Sequence, residues 1–129
     1  MPVVRRIALA VLAVAFIGLL NGCVVAVAGA VAGVAYVKGV AAKAYDADME
    51  KAKASVNMVF GTLEVNKTEE AGDKFNYTMN GKTDGGTTSV EVKLKALTEK
   101  TTEVSVRFGV FGDKRKSFMF FEELEKHIK

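Results

Sequence analysis

Hydropathy divides the chain into an apolar front and a mixed remainder. An unbroken apolar run extends from Ile7 to Leu20, a second uncharged stretch covers Val24 to Val37, and Lys38 opens a segment of interspersed charges. Gly39 to Tyr45 is short with β-compatible ends and is expected to form a first strand. Met49, Ala52, Val56, Val59 and Phe60 then recur at helical spacing, with Lys51, Lys53 and Asn57 on other sides. Asp46 is placed to cap this helix, Asp48 and Glu50 suit the positive end of its dipole, and Gly61 is expected to close it.

From Thr62 the period falls to two. Leu63 and Val65 alternate with Glu64 and Asn66; Phe75, Tyr77 and Met79 with Asn76 and Thr78; Val90, Val92 and Leu94 with Glu91, Lys93 and Lys95; and Val104, Val106 and Phe108 with Glu103, Ser105 and Arg107. Gly72-Asp73 and Asp84-Gly85-Gly86 supply turns between them. Gly109 and Gly112 break the last run, Asp113 is a second cap, and a final helix to Ile128 gathers Ser117, Phe121, Leu124 and Ile128 on one side. The order β-α-β-β-β-β-α predicts an α+β domain: an antiparallel sheet of about five strands, both helices on its apolar face, and Lys93, Lys95 and Arg107 turned to water.

The front of the chain has a different logic. Arg5 and Arg6, a 14-residue apolar core and a small residue near its end describe a secretory signal peptide. The run to Leu20 falls short of the roughly 20 residues that span a bilayer. Leu20-Asn21-Gly22-Cys23 resembles the lipobox of bacterial lipoproteins, although Asn21 is uncommon at its position. That resemblance implies cleavage before Cys23, a diacylglycerol on its thiol and a third acyl chain on its amine. Two acyl chains already hold a protein stably, so three anchor it almost irreversibly. The expected division is residues 1–22 as signal peptide, 23–37 as lipidated N-terminus and apolar tether, and 38–129 as a small α+β domain. The competing reading keeps the segment as an uncleaved membrane helix, with Gly29-x-x-x-Gly33 suited to close packing.

Composition narrows the function classes. The net charge is +3, but Arg5 and Arg6 are two of the 18 basic residues and all 15 acidic ones follow Cys23, so the chain from Cys23 onward carries 16 against 15, or +1. Such a balance gives no case for nucleic acid. One cysteine makes no internal disulfide. A folded part of about 90 residues buries roughly 60–65% of its surface and leaves little room for a deep cleft.

Candidate chemistry is sparse. His127 is the single histidine, near the end of a helix, without a partner for zinc or a relay to a nucleophile. Glu122, Glu123 and Glu125 are better explained as a solvated helix face than as a metal site, and Asp46 with Asp48 as cap and dipole residues than as a catalytic pair. Gly81 to Gly86 lacks the lysine and helix of a phosphate loop. Lys114-Arg115-Lys116 opposes its helix dipole; an exposed turn is the plain reading, lipid headgroups or an acidic partner the sharper one. No catalytic residue, metal or cofactor is expected. Phe118-Met119-Phe120-Phe121 spans roughly 300° of a helix, more than one buried face takes. Phe111, Met119 and Phe120 are therefore the candidate partner contact, the alternative being that the phenylalanines tuck under the helix edges.

Tyr45-Asp46-Ala47, then Val92-Lys93-Leu94-Lys95-Ala96-Leu97-Thr98-Glu99, then Thr102 to Gly109 and Phe111-Gly112-Asp113 resemble a family of small bacterial lipoproteins classed as a domain of unknown function. The resemblance implies an envelope lipoprotein held by membrane lipid through Cys23, and it carries over no catalytic residue. Val24 after the cysteine, in place of Asp, is similar to lipoproteins passed to the outer membrane, facing the periplasm. The helix-on-sheet order is also similar to helix-grip modules of outer-membrane assembly lipoproteins, as fold-level analogy. The expected role is non-enzymatic binding or structural support with an envelope protein as partner. The alternatives are an envelope carrier or enzyme using a hollow between helices and sheet, and an uncleaved single-span protein.

Overall fold

A computed structural model describes Val3 and residues 33–129. Apart from Val3, the segment expected to be a signal peptide, the stretch resembling a lipobox with Cys23, and the Gly29-x-x-x-Gly33 spacing as a unit lie outside the described residues. Six strands and two helices follow in the order β1 (Ala35–Val37), β2 (Val40–Tyr45), α1 (Met49–Thr62), β3 (Asn66–Gly72), β4 (Asn76–Thr83), β5 (Thr88–Thr98), β6 (Thr101–Phe108) and α2 (Lys114–Ile128). The strands form one antiparallel sheet ordered β1-β2-β6-β5-β4-β3. The fold is α+β, with one strand more than expected.

The extra strand comes from the segment assigned to the tether. Val34 is buried and Ala35–Val37 pairs with Val40–Ala42, so the domain begins before Lys38. Lys38 and Gly39 form the intervening two-residue turn with φ of 51° and 83°, both positive as the favoured hairpin turn requires.

Strand phase follows the alternating pattern. Val90, Val92, Leu94, Val104, Val106 and Phe108 are buried toward the helices, Lys93 is exposed and Arg107 half-exposed. On the open face Glu91 lies 3.6 Å from both Lys93 Nζ and Arg107 Nη2. The two helices pack against the sheet and against each other, and α1, entered from β2, leads to β3 at the far edge.

Three local expectations shift. The cap of α1 is Asp48, whose Oδ1 accepts from Lys51 N at 2.8 Å, because residues 45–47 first form a bend: Ala47 N donates to Tyr45 O, and the buried Thr102 hydroxyl donates to Ala47 O at 2.8 Å. Gly61 lies inside the last turn of α1, and Leu63 is the C-cap. Leu63–Val65 closes the helix rather than starting a strand: Val65 N donates to Phe60 O at 2.8 Å and Glu64 N to Gly61 O at 3.4 Å, the paired bonds of a Schellman motif. The strand that follows, β3, is exposed throughout, a charged edge of the kind that resists edge-to-edge pairing. Asp113 does cap α2, accepting from Lys116 N at 3.0 Å.

Candidate functional site

The register gathers the Lys38-Gly39 turn, the 109–113 loop and the 84–87 turn at one end of the sheet, and the 46–48, 73–75 and 99–100 connections at the other. At the first end two glycines let two backbones meet. A Cβ on Gly39 would stand 2.4 Å from Phe111 O, and one on Gly112 would stand 2.4 Å from Gly39 Cα. This contact sets the hairpin turn directly against the loop. Phe111 is 92% exposed, Val110 80% and Val37 64%.

Cations surround this corner. Lys38 lies in the turn itself, and Lys114 Nζ stands 5.9 Å from the Tyr36 ring and 5.7 Å from the Phe118 ring, within the range in which a cation is drawn to a ring face. Tyr36 and Phe118 rest on each other at 6.5 Å. Arg115 follows on α2, and a hollow of about 430 Å³ is lined by Lys114, Arg115, Phe118, Met119 and Glu122. Among the described residues, Lys38, Lys114 and Arg115 have no carboxylate within 4.0 Å. Lys116, by contrast, is paired with Asp84, whose carboxyl that contact and the Thr88 hydroxyl hold below the usual range.

The candidate contact residues separate accordingly. Phe111 is open to solvent and Met119 is 43% exposed, whereas Phe120 is fully buried. Phe120 meets Phe108 edge-on at 6.4 Å and Phe121 at 5.4 Å. The correction has a packing cause: α2 is covered by the sheet on one side and by α1 on another, so its buried arc takes two adjacent phenylalanines. Phe118 tucks beside Tyr36. Met119 also lines a small hollow of about 130 Å³ with Leu63, Thr83 and Lys116.

At the opposite end a cleft of about 550 Å³ has Phe75, Leu97, Ala96 and Met49 as apolar lining and Asp48, Glu50 and Glu99 on its rim, with Lys74 as its one cation. Phe75 is 57% and Leu97 47% exposed.

The sequence pattern did not single out a third feature. Lys43 lies in the inward phase of β2, between Ala41 and Tyr45, and pairs with Glu125 of α2. The Tyr45 hydroxyl donates to Glu125 Oε1 at 3.2 Å, and Lys129 Nζ stands 2.9 Å from Glu125 Oε2. Burial, then the Glu125 charge and hydrogen bond, push the Tyr45 phenol far above its ordinary value. Burial works against the Glu125 charge, but the bonds from Lys43 and Lys129 outweigh it and hold the carboxyl below its ordinary value. The result is a protonated phenol and an ion pair that together tie β2 to α2. The signal in sequence was a lone lysine on the apolar phase of a strand.

Among the described residues no three His, Cys, Asp or Glu side chains come together as a metal site, and no helix is long and apolar enough to cross a membrane. The family described as Protein of unknown function (DUF3568) matches the chain over residues 6–128. No curated protein matches it.

Proposed function

Because the chain belongs to this family of unknown function over nearly its whole length, we propose, from its own residues, that it is a bacterial envelope lipoprotein with a non-enzymatic binding or structural role. It is held by acyl chains on Cys23 and faces the periplasm, at the outer membrane. The observation that carries the reading is Leu20-Asn21-Gly22-Cys23 behind a charged start and a 14-residue apolar run. The domain's interior supports the binding half of it. Val56, Val59, Val92, Val106, Phe121 and Leu124, all at 0% exposure, fill the layer between helices and sheet where a carrier or enzyme would need a hollow. What remains for a partner is the outside, and the exposed apolar side chains there concentrate at the two ends of the sheet.

Cys23→Ala tests the anchor. In a Gram-negative host the variant should lose acyl labelling and accumulate as an uncut precursor or leave the membrane fraction. Mass spectrometry of the native protein finding an intact Met1 terminus and a free Cys23 thiol would overturn the reading.

A further inference from the structure

We propose that the corner formed by Val37, Lys38, Val110, Phe111, Lys114 and Arg115 docks non-covalently on an anionic bilayer surface, with Phe111 and Val110 entering the headgroup boundary and the three cations meeting lipid phosphates. The proposal rests on the lipoprotein reading for proximity and on the corner's own chemistry for contact. An exposed phenylalanine between exposed valines, ringed by lysine and arginine, has the composition of an interfacial anchor. The cations are available for phosphate because no carboxylate among the described residues pairs with them. The nearest acid in sequence, Asp113, has an oxygen engaged by Lys116 N at 3.0 Å. The Gly39–Gly112 backbone contact seats the loop against the hairpin turn, a placement that lowers the ordering insertion would require.

The length of chain before the fold makes weak docking sufficient. Gly33 lies ten residue steps after Cys23, at most about 35 Å when extended, and residues 24–32 carry no charge. A lipidated Cys23 therefore keeps the corner within reach of the bilayer, and contact becomes intramolecular at high effective concentration. The cleft at the opposite end, lined by Asp48, Glu50 and Glu99 against the single cation Lys74, has the wrong sign for the same surface.

The chain has no tryptophan, so Phe111→Trp and Leu97→Trp each introduce a single emitter at opposite ends. The full mature protein carrying either change is reconstituted in vesicles in which about a third of the lipid is phosphatidylglycerol, with brominated acyl chains as quencher. Trp at 111 should shift to the blue and be strongly quenched, while Trp at 97 should stay in water. Adding Lys38→Gln, Lys114→Gln and Arg115→Gln should lower the docked-to-free ratio roughly fivefold per cation, with an unchanged circular dichroism melt showing that the fold persists. Mass spectrometry of Cys23 on the same samples separates the two readings. A lipidated chain whose Trp at 111 stays as solvent-accessible as Trp at 97 overturns docking and leaves the anchor standing. An unlipidated chain whose Trp at 111 is quenched supports docking and overturns the anchor. Shielding of position 111 in envelope preparations but not on vesicles assigns the corner to a protein and overturns the proposal.

Discussion

The two ends of the sheet both expose large apolar side chains, yet they differ in charge and in construction. At the β1–β2 turn, Phe111 and Val110 stand among Lys38, Lys114 and Arg115, and two glycine backbones in contact hold the segment. At the other end, Phe75 and Leu97 stand around a cleft lined by Asp48, Glu50 and Glu99 against the one cation Lys74, whose Nζ lies 5.0 Å from the Phe75 ring, and side-chain hydrogen bonds do the holding. Asp73 Oδ1 accepts from Phe75 N and Asn76 N at 2.8 and 2.9 Å, and Thr98 Oγ1 accepts from Lys100 N at 3.2 Å. Exposed apolar area alone does not distinguish the two ends. Under the docking proposal the sign of the surrounding charge decides which end meets an anionic surface, so that even a nearly neutral chain would be oriented by it.

The largest effect that sharpens this contrast lies within one short stretch. Phe120→Ala removes a ring wedged against Phe108 and Phe121 and should cost about 3–5 kcal/mol in urea unfolding. Phe111→Ala, nine residues earlier and 92% exposed, should stay within about 0.5 kcal/mol of the parent. Comparable losses for the two would mean that the corner is packed rather than presented, and the distinction between the ends would collapse.

A smaller effect concerns the fastening near the acidic end, where β2 meets the last turn of α2. Glu125 is held ionised below its ordinary value of 4.5 by Lys43 and Lys129 against the cost of burial. A carboxyl depressed in the fold binds protons more readily when unfolded, so its contribution is present above pH 4.5 and is lost as pH falls through the lowered folded value. Glu70, Asp73 and Asp84 are shifted the same way and add to the acid slope. Glu125→Gln should melt lower than the parent at neutral pH and lose less on acidification from pH 4.5 downward, read as thermal midpoint against pH. An unchanged slope would reduce the Lys43–Glu125 contact to a surface pair of little consequence.

How far the sequence revealed this arrangement depends on what each element needed. Strands β5 and β6 alternate strictly because one face is buried and the other wet, and their phase was legible to the residue. Asp113 was legible because a cap is a local bond. Strand β1 was not, because three residues of an uncharged Ala/Val stretch look the same in a tether and in an edge strand; only the Lys38-Gly39 turn hinted at a hairpin. Phe111 and Met119 were recognised as exposed, whereas Phe120 was misassigned because a helix in the angle between a sheet and a second helix has two covered sides. The basic corner itself was half visible: Lys114-Arg115 stood out, but only the fold brings Lys38 and Val37 beside them.

The smallest predicted effect is the most pointed, because sequence and structure give it opposite signs. A glycine following the apolar positions of α1 marks Gly61 as the residue that leaves the helix, and in that role Gly61→Ala would destabilise. In the fold Gly61 is helical with nothing within 4 Å of an added Cβ. Alanine there should instead raise stability by roughly 0.5–1 kcal/mol, the helix-propensity difference. The left-handed position belongs to Glu64, at φ 55°, with Val65 N returning to Phe60 O behind it. Glu64 carries a Cβ that this conformation disfavours, so Glu64→Gly should also stabilise, by a few tenths to about 1 kcal/mol, the relief being partly offset by the greater freedom of glycine in the unfolded chain. The two changes touch no shared side chain, and their effects on the urea midpoint should add. A loss of stability for Gly61→Ala would place the end of α1 three residues earlier and move Leu63 and Val65, with the start of β3, out of the register that brings Gly81 against Val65.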